Sequence, residues 1–232
     1  MHDCASPISQ TKSMNSKSSI AAWIFILFLT LVVATLSYFM LSKPKDEGMV
    51  ITSQYEERPI RKNYEVKSFP TPNYDRNRKN DVIGVVLHHT AEPTVKKSLA
   101  ILTSSTRKVG THVVIDTDGT RYIMAEPEIA AYHAGLSILN GREGCNYCTV
   151  GIEFQGNTLV TPLTDDQIAS GIEYLLPIIE KYNIPLENIV THEMVRMAYK
   201  HKYPKKRCSG KVDITPKEYM RFMNALMEVV KE

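Results

Sequence analysis

Apolar residues in this chain fall into short runs and helical stripes from about residue 80 onward, and their spacing predicts an ordered series of strands and helices. Val82, Ile83, Val85, Val86 and Leu87 form a nearly continuous apolar run, as in a strand buried on both faces. The run delivers His88 and His89 at its carboxyl end, where α/β domains present functional side chains. Thr94 to Ser104 carries Val95, Leu99 and Leu102 at helical spacing. Gly110 to Asp116 reads as a second strand, Asp116-Thr-Asp-Gly119 as a turn, and Thr120 to Met124 as its hairpin partner. Val150 to Gln155 reads as a further strand, in which Glu153 points to the face opposite Ile152 and Phe154.

Thr164-Asp-Asp-Gln167 is a capping-box sequence, and the stripe Ile168, Ile172, Leu175, Ile179 continues from it as one buried helix face. Pro177 is expected to kink or thin that helix around its preceding turn, with the stripe surviving it. Ile189 to His192 reads as a short strand delivering a third histidine. A last helix starts at Thr215, with Pro216 at its first position, Glu218 completing a second capping box, and Tyr219, Phe222, Leu226 and Val230 as its apolar face. The expected fold is α/β, a central mixed β-sheet flanked by helices, over residues 80–232.

The amino-terminal third follows different patterns. Residues 1–19 read as a tail. Ile20 to Leu41 contains no charged residue, and 22 residues in a helix span about 33 Å, enough for a hydrocarbon core of about 30 Å. Trp23 and Tyr38 lie near its ends and Lys17 and Lys43 close it off, so the segment reads as a single transmembrane anchor. Residues 42–79, charged and punctuated by Pro44, Pro59, Pro70 and Pro72, read as a semi-extended tether. Lysines are balanced across the anchor and do not choose its orientation.

A formal charge of +3 is too mild to point to nucleic acid. Four cysteines are too few for a disulfide scaffold. Cys145-Asn-Tyr-Cys148 has no second cysteine pair to complete a structural zinc site, and reads either as a local disulfide or as two free thiols. His88, His192 and Cys208, each near the end of an element, are candidate metal ligands; two imidazoles and a thiolate suit zinc with an open fourth position. His89, next along the strand from His88, points the other way and reads as structural, as does His112. The run Lys200 to Arg207 is a basic loop.

Seven segments give these residues a context: Leu87-His-His-Thr-Ala91, Thr111-His-Val-Val-Ile-Asp-Thr-Asp-Gly119, Tyr132-His-Ala-Gly135, Gly141-Arg-Glu-Gly-Cys-Asn146, Val150-Gly-Ile-Glu153, Thr191-His-Glu193 and Lys205-Lys-Arg-Cys208. In this order they resemble the motifs of the zinc-dependent N-acetylmuramoyl-L-alanine amidases. That family includes amidase-type phage lysozymes and anhydro-muropeptide amidases, and is related to the peptidoglycan recognition proteins. The resemblance runs from about Asn80 to the carboxyl terminus and leaves the anchor and tether outside.

The resemblance implies Zn2+ held by His88, His192 and Cys208, Glu153 as the acid/base carboxylate, and Lys206 as the cation facing the reacting carbonyl. Zinc would acidify a water towards a pKa of about 7, and Glu153 would carry its proton to the leaving amine. His133 and Asn146 are implied to line the substrate groove. Thr111 stands where some relatives have a tyrosine, which is nearer the anhydro-muropeptide branch. That branch often has aspartate as third ligand, whereas cysteine is typical of the phage and recognition-protein side. The implied activity is hydrolysis of the amide between N-acetylmuramic acid and L-alanine in peptidoglycan or muropeptides, by a monomeric domain. The alternatives are a peptidoglycan-binding module without turnover and a phage lysin held by its membrane segment. Since polymeric peptidoglycan lies outside the inner membrane, the domain is expected on the extracytoplasmic side.

Overall fold

The computed structural model describes residues 63–208, 210 and 213–231, which belong to one compact unit, Arg58–Glu232. Ile20 to Leu41, read as the anchor, lies outside the described residues; among those described, no helix is long and apolar enough to cross a membrane.

Among the described residues, ten strands and four α-helices follow in chain order: β1 (Val66–Ser68), β2 (Tyr74–Lys79), β3 (Gly84–His89), α1 (Val95–Leu102), β4 (Val113–Ile115), β5 (Arg121–Ile123), β6 (Ile129–Ala131), β7 (Ile138–Leu139), β8 (Arg142–Glu143), β9 (Thr149–Phe154), α2 (Asp165–Tyr182), β10 (Ile189–Thr191), α3 (His192–Lys202) and α4 (Pro216–Val230). Six strands form a mixed sheet in the order β1-β5-β4-β9-β3-β10. All its neighbours are parallel except the β4–β5 hairpin. This is the α/β architecture expected.

Period-two alternation assigns the faces of the central strands. Val85 and Leu87 of β3 and Val150, Ile152 and Phe154 of β9 enter the larger core. There they meet Ile168, Ile172, Leu175 and Ile178 of α2 and Phe222, Met223 and Leu226 of α4. Val86 points the other way, packing with Val190, Ala134 and Val195 of α3. His88 and Glu153 share that second face. Every residue of β3 and β9 is buried, as expected for parallel strands covered on both sides.

Helix starts follow sequence rules with one exception. The Thr164 capping box forms with both bonds, Gln167 N–H to Thr164 Oγ1 and Thr164 N–H to Gln167 Oε1. Helix α2 continues through Pro177 to Tyr182. At α4, Thr215 caps the Glu218 N–H, but the Glu218 carboxylate is drawn away from the expected second capping box. It accepts instead from Leu163 N–H at 3.0 Å and Arg221 at 2.6 Å, tying α4 to the loop before α2.

Residues 66–79, read as part of the tether, belong to the domain. β1 pairs with β5 at the edge of the main sheet, and β2 pairs antiparallel with β6. Between them, Asn73 donates from Nδ2 to the carbonyls of Leu102, Ser104 and Val109, and its own carbonyl accepts from Tyr132 N–H. Thr71 Oγ1 donates to Leu102 O at 2.6 Å. A fragment beginning at Asn80 would lack this clamp. The side chains of β1 and most of β2 are exposed, so the strands hold by backbone pairing and leave no apolar alternation to read.

Candidate metal centre and active site

The register of three neighbouring parallel strands assembles the site. His88 of β3 pairs with Glu153 of β9, and Leu87 pairs with Thr191, the last residue of β10. His192, which opens α3, therefore emerges beside His88 at the same carboxyl edge. Thr191 caps α3 through Met194 N–H, so the strand-to-helix turn that aims His192 is held by its own side chain.

His88, His192 and Asp213 each offer a ligand atom, and these atoms lie within 4.8 Å of one another. Nδ1 of His88 is 3.4 Å and Nδ1 of His192 2.5 Å from Asp213 Oδ2. All three residues are buried, Asp213 completely. The far ring nitrogens are held separately: His192 Nε2 lies 3.2 Å from the Ala134 carbonyl, and His88 Nε2 lies 3.1 Å from His133 Nδ1. His133 Nε2 in turn faces the Thr149 carbonyl at 3.3 Å. A carbonyl can only accept, so this chain assigns Nε2–H to His192, His133 and His88 and leaves Nδ1 lone pairs of both His88 and His192 towards Asp213. Two imidazole lone pairs and a carboxylate converging in a buried place are mutually repulsive acceptors without a cation between them. The set fits a divalent metal, and its nitrogen and oxygen donors suit zinc.

Cys208, expected as third ligand, does not join this cluster; it is a half-buried free thiol. The reason lies in the path of the chain. Helix α3, 11 residues long, carries the backbone about 16 Å from His192. Residues 203–206 then close a turn, Lys206 N–H donating to Tyr203 O. Returning about 16 Å takes roughly five extended residues. Cys208 comes two residues after the turn, and Asp213 seven. Lys206 fares likewise: it is exposed, its carbonyl accepts from Lys200 Nζ, and it does not line the active-site cavity. The spacing of Lys206 from Cys208, a lysine two residues before the third ligand, recurs at Lys211-Val-Asp213, so the signal was present in the sequence. Lys211 lies outside the described residues.

The cluster opens into a cavity of about 520 Å3 lined, among others, by Glu153, His192, His133, Asn146, Arg196 and Lys108. Glu153 is 7% exposed, and its Oε2 has no hydrogen-bond partner among the described residues. A buried carboxylate oxygen kept free beside a ligand set has the disposition a proton carrier needs.

His133 and Asn146 both line the cavity. Asn146 Oδ1 accepts from His133 N–H at 3.0 Å and Ala134 N–H at 2.7 Å, so it shapes the loop, and only its Nδ2 remains to meet a ligand. His133 is fully occupied by His88 and Thr149, and burial holds its pKa well below the usual histidine value, with the neighbouring His88 adding to the effect. Gly151 makes room for it: a Cβ there would stand 2.6 Å from His133 Cγ. We expect His133→Ala to weaken zinc binding about 10- to 100-fold in a chelator-competition titration, with His133→Gln, which keeps an acceptor for His88, closer to wild type. Unchanged affinity in His133→Ala would remove its role as a brace.

His89 and His112 are held by structural hydrogen bonds. His89 Nδ1 accepts from Thr158 N–H and meets Thr158 Oγ1 at 2.9 Å, on the face away from the cavity. His112 is bonded at both nitrogens, to Ile129 O and Gly151 N–H, and burial pushes its pKa down to about 4. Thr111 Oγ1 donates to Gly151 O and is fully buried, which leaves it no proton-transfer role. Cys145 and Cys148 are both free and buried.

Comparison with known proteins places this geometry. A selenomethionine derivative of AmpD shares 21% identity, covering 68% of this chain and 94% of that one with a TM-score of 0.54. A mutant endolysin from Bacillus subtilis shares 19%, covering 70% and 99% with a TM-score of 0.50. Both likenesses are of fold. In sequence, the chain is 40% identical over 62 residues to the 1,6-anhydro-N-acetylmuramyl-L-alanine amidase AmpD of Enterobacter cloacae, which is 27% of this chain and 33% of that protein. It is 31% identical over 124 residues to the N-acetylmuramoyl-L-alanine amidase AmiD of Escherichia coli (strain K12), 47% of this chain and 44% of that protein. The chain thus spans a third to under a half of these curated relatives. The family model for N-acetylmuramoyl-L-alanine amidase matches residues 78–211, more than half of the chain and all of the strand edge that carries His88, Glu153 and His192. The chain belongs to the N-acetylmuramoyl-L-alanine amidase family.

Proposed function

We propose that this chain is a zinc-dependent amidase that hydrolyses the bond between N-acetylmuramic acid and L-alanine in peptidoglycan or muropeptides. The observation that carries the reading is the buried His88–His192–Asp213 set, whose His192 lines one cavity with Glu153, a carboxylate with an unpartnered Oε2. His88, His192 and Asp213 would hold the metal, which when bound supplies Lewis acidity and an acidified water. Glu153 takes one proton from the attacking water and returns it to the leaving nitrogen as the carbon–nitrogen bond breaks, giving a lactyl carboxylate and a free amine.

The test is release of dye from labelled peptidoglycan, and of L-alanyl peptide from soluble muropeptide, by the purified chain before and after metal chelation. Release that chelation abolishes and zinc restores is the expected result. Binding without release would make the chain a recognition module.

We also infer that Ile20 to Leu41 anchors the chain in a membrane, with the catalytic domain outside the cytoplasm. The support is an uncharged stretch of spanning length and the location of polymeric peptidoglycan. A carboxyl-terminal reporter that fluoresces only in the cytoplasm should stay dark; a bright cell reverses the topology.

A further inference from the structure

The cavity contains a cation that the hydrolytic step does not use. Arg196 stands four residues after His192 on α3, hence on the same helix face and about 6 Å further along the axis. Its side chain is 14% exposed and lines the cavity with His192 and Glu153. Its ion pair among the described residues is with Glu193, at 3.5 Å from one terminal nitrogen, and the Glu193 side chain is 39% exposed. Such a pair within one helix turn is weak. Arg196 Nε is buried with no hydrogen-bond partner. A guanidinium largely withdrawn from water, with a donor unused, is costly unless something else supplies the acceptor.

The rest of the cavity wall has the charge to admit an anion. Lys108 contributes a second cation, with no ion pair among the described residues. Of the two carboxylates that line it, Glu92 is bound to Lys97 at 2.7 Å and Glu153 belongs to the reaction. Ile101, Leu102, Val109 and Leu136 supply an apolar wall that strengthens a charged hydrogen bond formed beside it.

We propose that Arg196 binds a free carboxylate on the substrate peptide, carried by the second residue from the cleaved amide. The assignment rests on the amidase reading for its register. Side chains on a helix lean towards its amino terminus, so the guanidinium reaches back towards the His192 end. An extended peptide advances at most about 3.5 Å per residue, which places the second residue about 7 Å from the cut, close to the offset between His192 and Arg196. The planar fork of arginine matches a carboxylate bidentately, whereas a carboxamide would offer one acceptor and turn a donor against the guanidinium. Arg196 would thereby select substrates by the charge of that residue, without a part in bond breaking.

The experiment measures binding by calorimetry to the full chain carrying Glu153→Gln, which blocks turnover. The probes are two N-acetylmuramoyl dipeptides, with L-alanine followed by a glutamate whose α-carboxylate is either free or converted to the carboxamide. The free carboxylate should bind at least about tenfold more tightly. Adding Arg196→Gln should make the two probes equal, and Arg196→Lys should restore part of the preference. Equal affinities with Arg196 in place, a preference that survives Arg196→Gln, or no binding of either probe would each overturn the assignment. The amidase reading fails separately: a chain with Glu153 intact that discriminates the probes in binding but cleaves neither would keep the carboxylate site and lose the hydrolase.

Discussion

Asp213→Ala should release zinc and lower amide hydrolysis by at least about a thousandfold, while Cys208→Ser should leave metal content and turnover within about twofold of wild type. Asp213 is fully buried and its Oδ2 faces Nδ1 of both His88 and His192, at 3.4 and 2.5 Å. Removing the carboxylate leaves two neutral imidazoles, a set short of the three protein ligands that catalytic zinc sites use. Cys208 sits in the exposed basic segment after α3, and its thiol has no place in the cluster. Metal analysis of the two purified variants decides between them. Zinc retained in Asp213→Ala and lost in Cys208→Ser would restore the thiolate as third ligand. Because a buried aspartate can also matter to folding, far-ultraviolet circular dichroism of Asp213→Asn should accompany the measurement; a folded Asp213→Asn that has lost zinc fits ligation.

Glu153→Gln should keep zinc and lose about 10^2- to 10^4-fold in kcat, the usual worth of a positioned proton carrier. The substitution preserves the shape of a side chain that is 7% exposed and removes only its ability to take a proton. The loss should appear in kcat more than in KM, because Glu153 handles the proton and is not assigned to holding the substrate. A variant within about tenfold of wild type would show that another group carries the proton. Normal activity after chemical rescue by a small carboxylate would instead support the role.

Sequence patterns made the central strands and long helices legible because burial on both faces demands unbroken apolar runs. Thr164 and Thr215 marked helix starts because capping chemistry is local. His88, Glu153 and His192 were also readable, since each sits at or next to the end of an apolar run, and period two places Glu153 opposite Ile152 and Phe154. The edge strands β1 and β2 left no such trace. Their side chains face solvent and their partners β5 and β6 lie some 50 residues away, so only backbone pairing records them.

The third ligand shows where a linear reading ends. A lysine-x-ligand spacing occurs at both Lys206-Arg-Cys208 and Lys211-Val-Asp213, and the resemblance was drawn on the first alone. The choice depends on how far α3 travels and how the turn at residues 203–206 spends the return, a question of three-dimensional path length. The same holds for His133, whose pairing with His88 across 45 positions follows from the clearance left by Gly151. Residue chemistry and periodicity by themselves determined the fold class and the strand edge that bears the chemistry, because those rest on local patterns of burial, while the order of the seven motifs carried the resemblance to the family. Tertiary structure alone decided that the domain takes in residues 66–79, that Asp213 meets the two histidines, and that Arg196 lines the cavity with His192 and Glu153, because each depends on distances between segments that the order of residues does not contain.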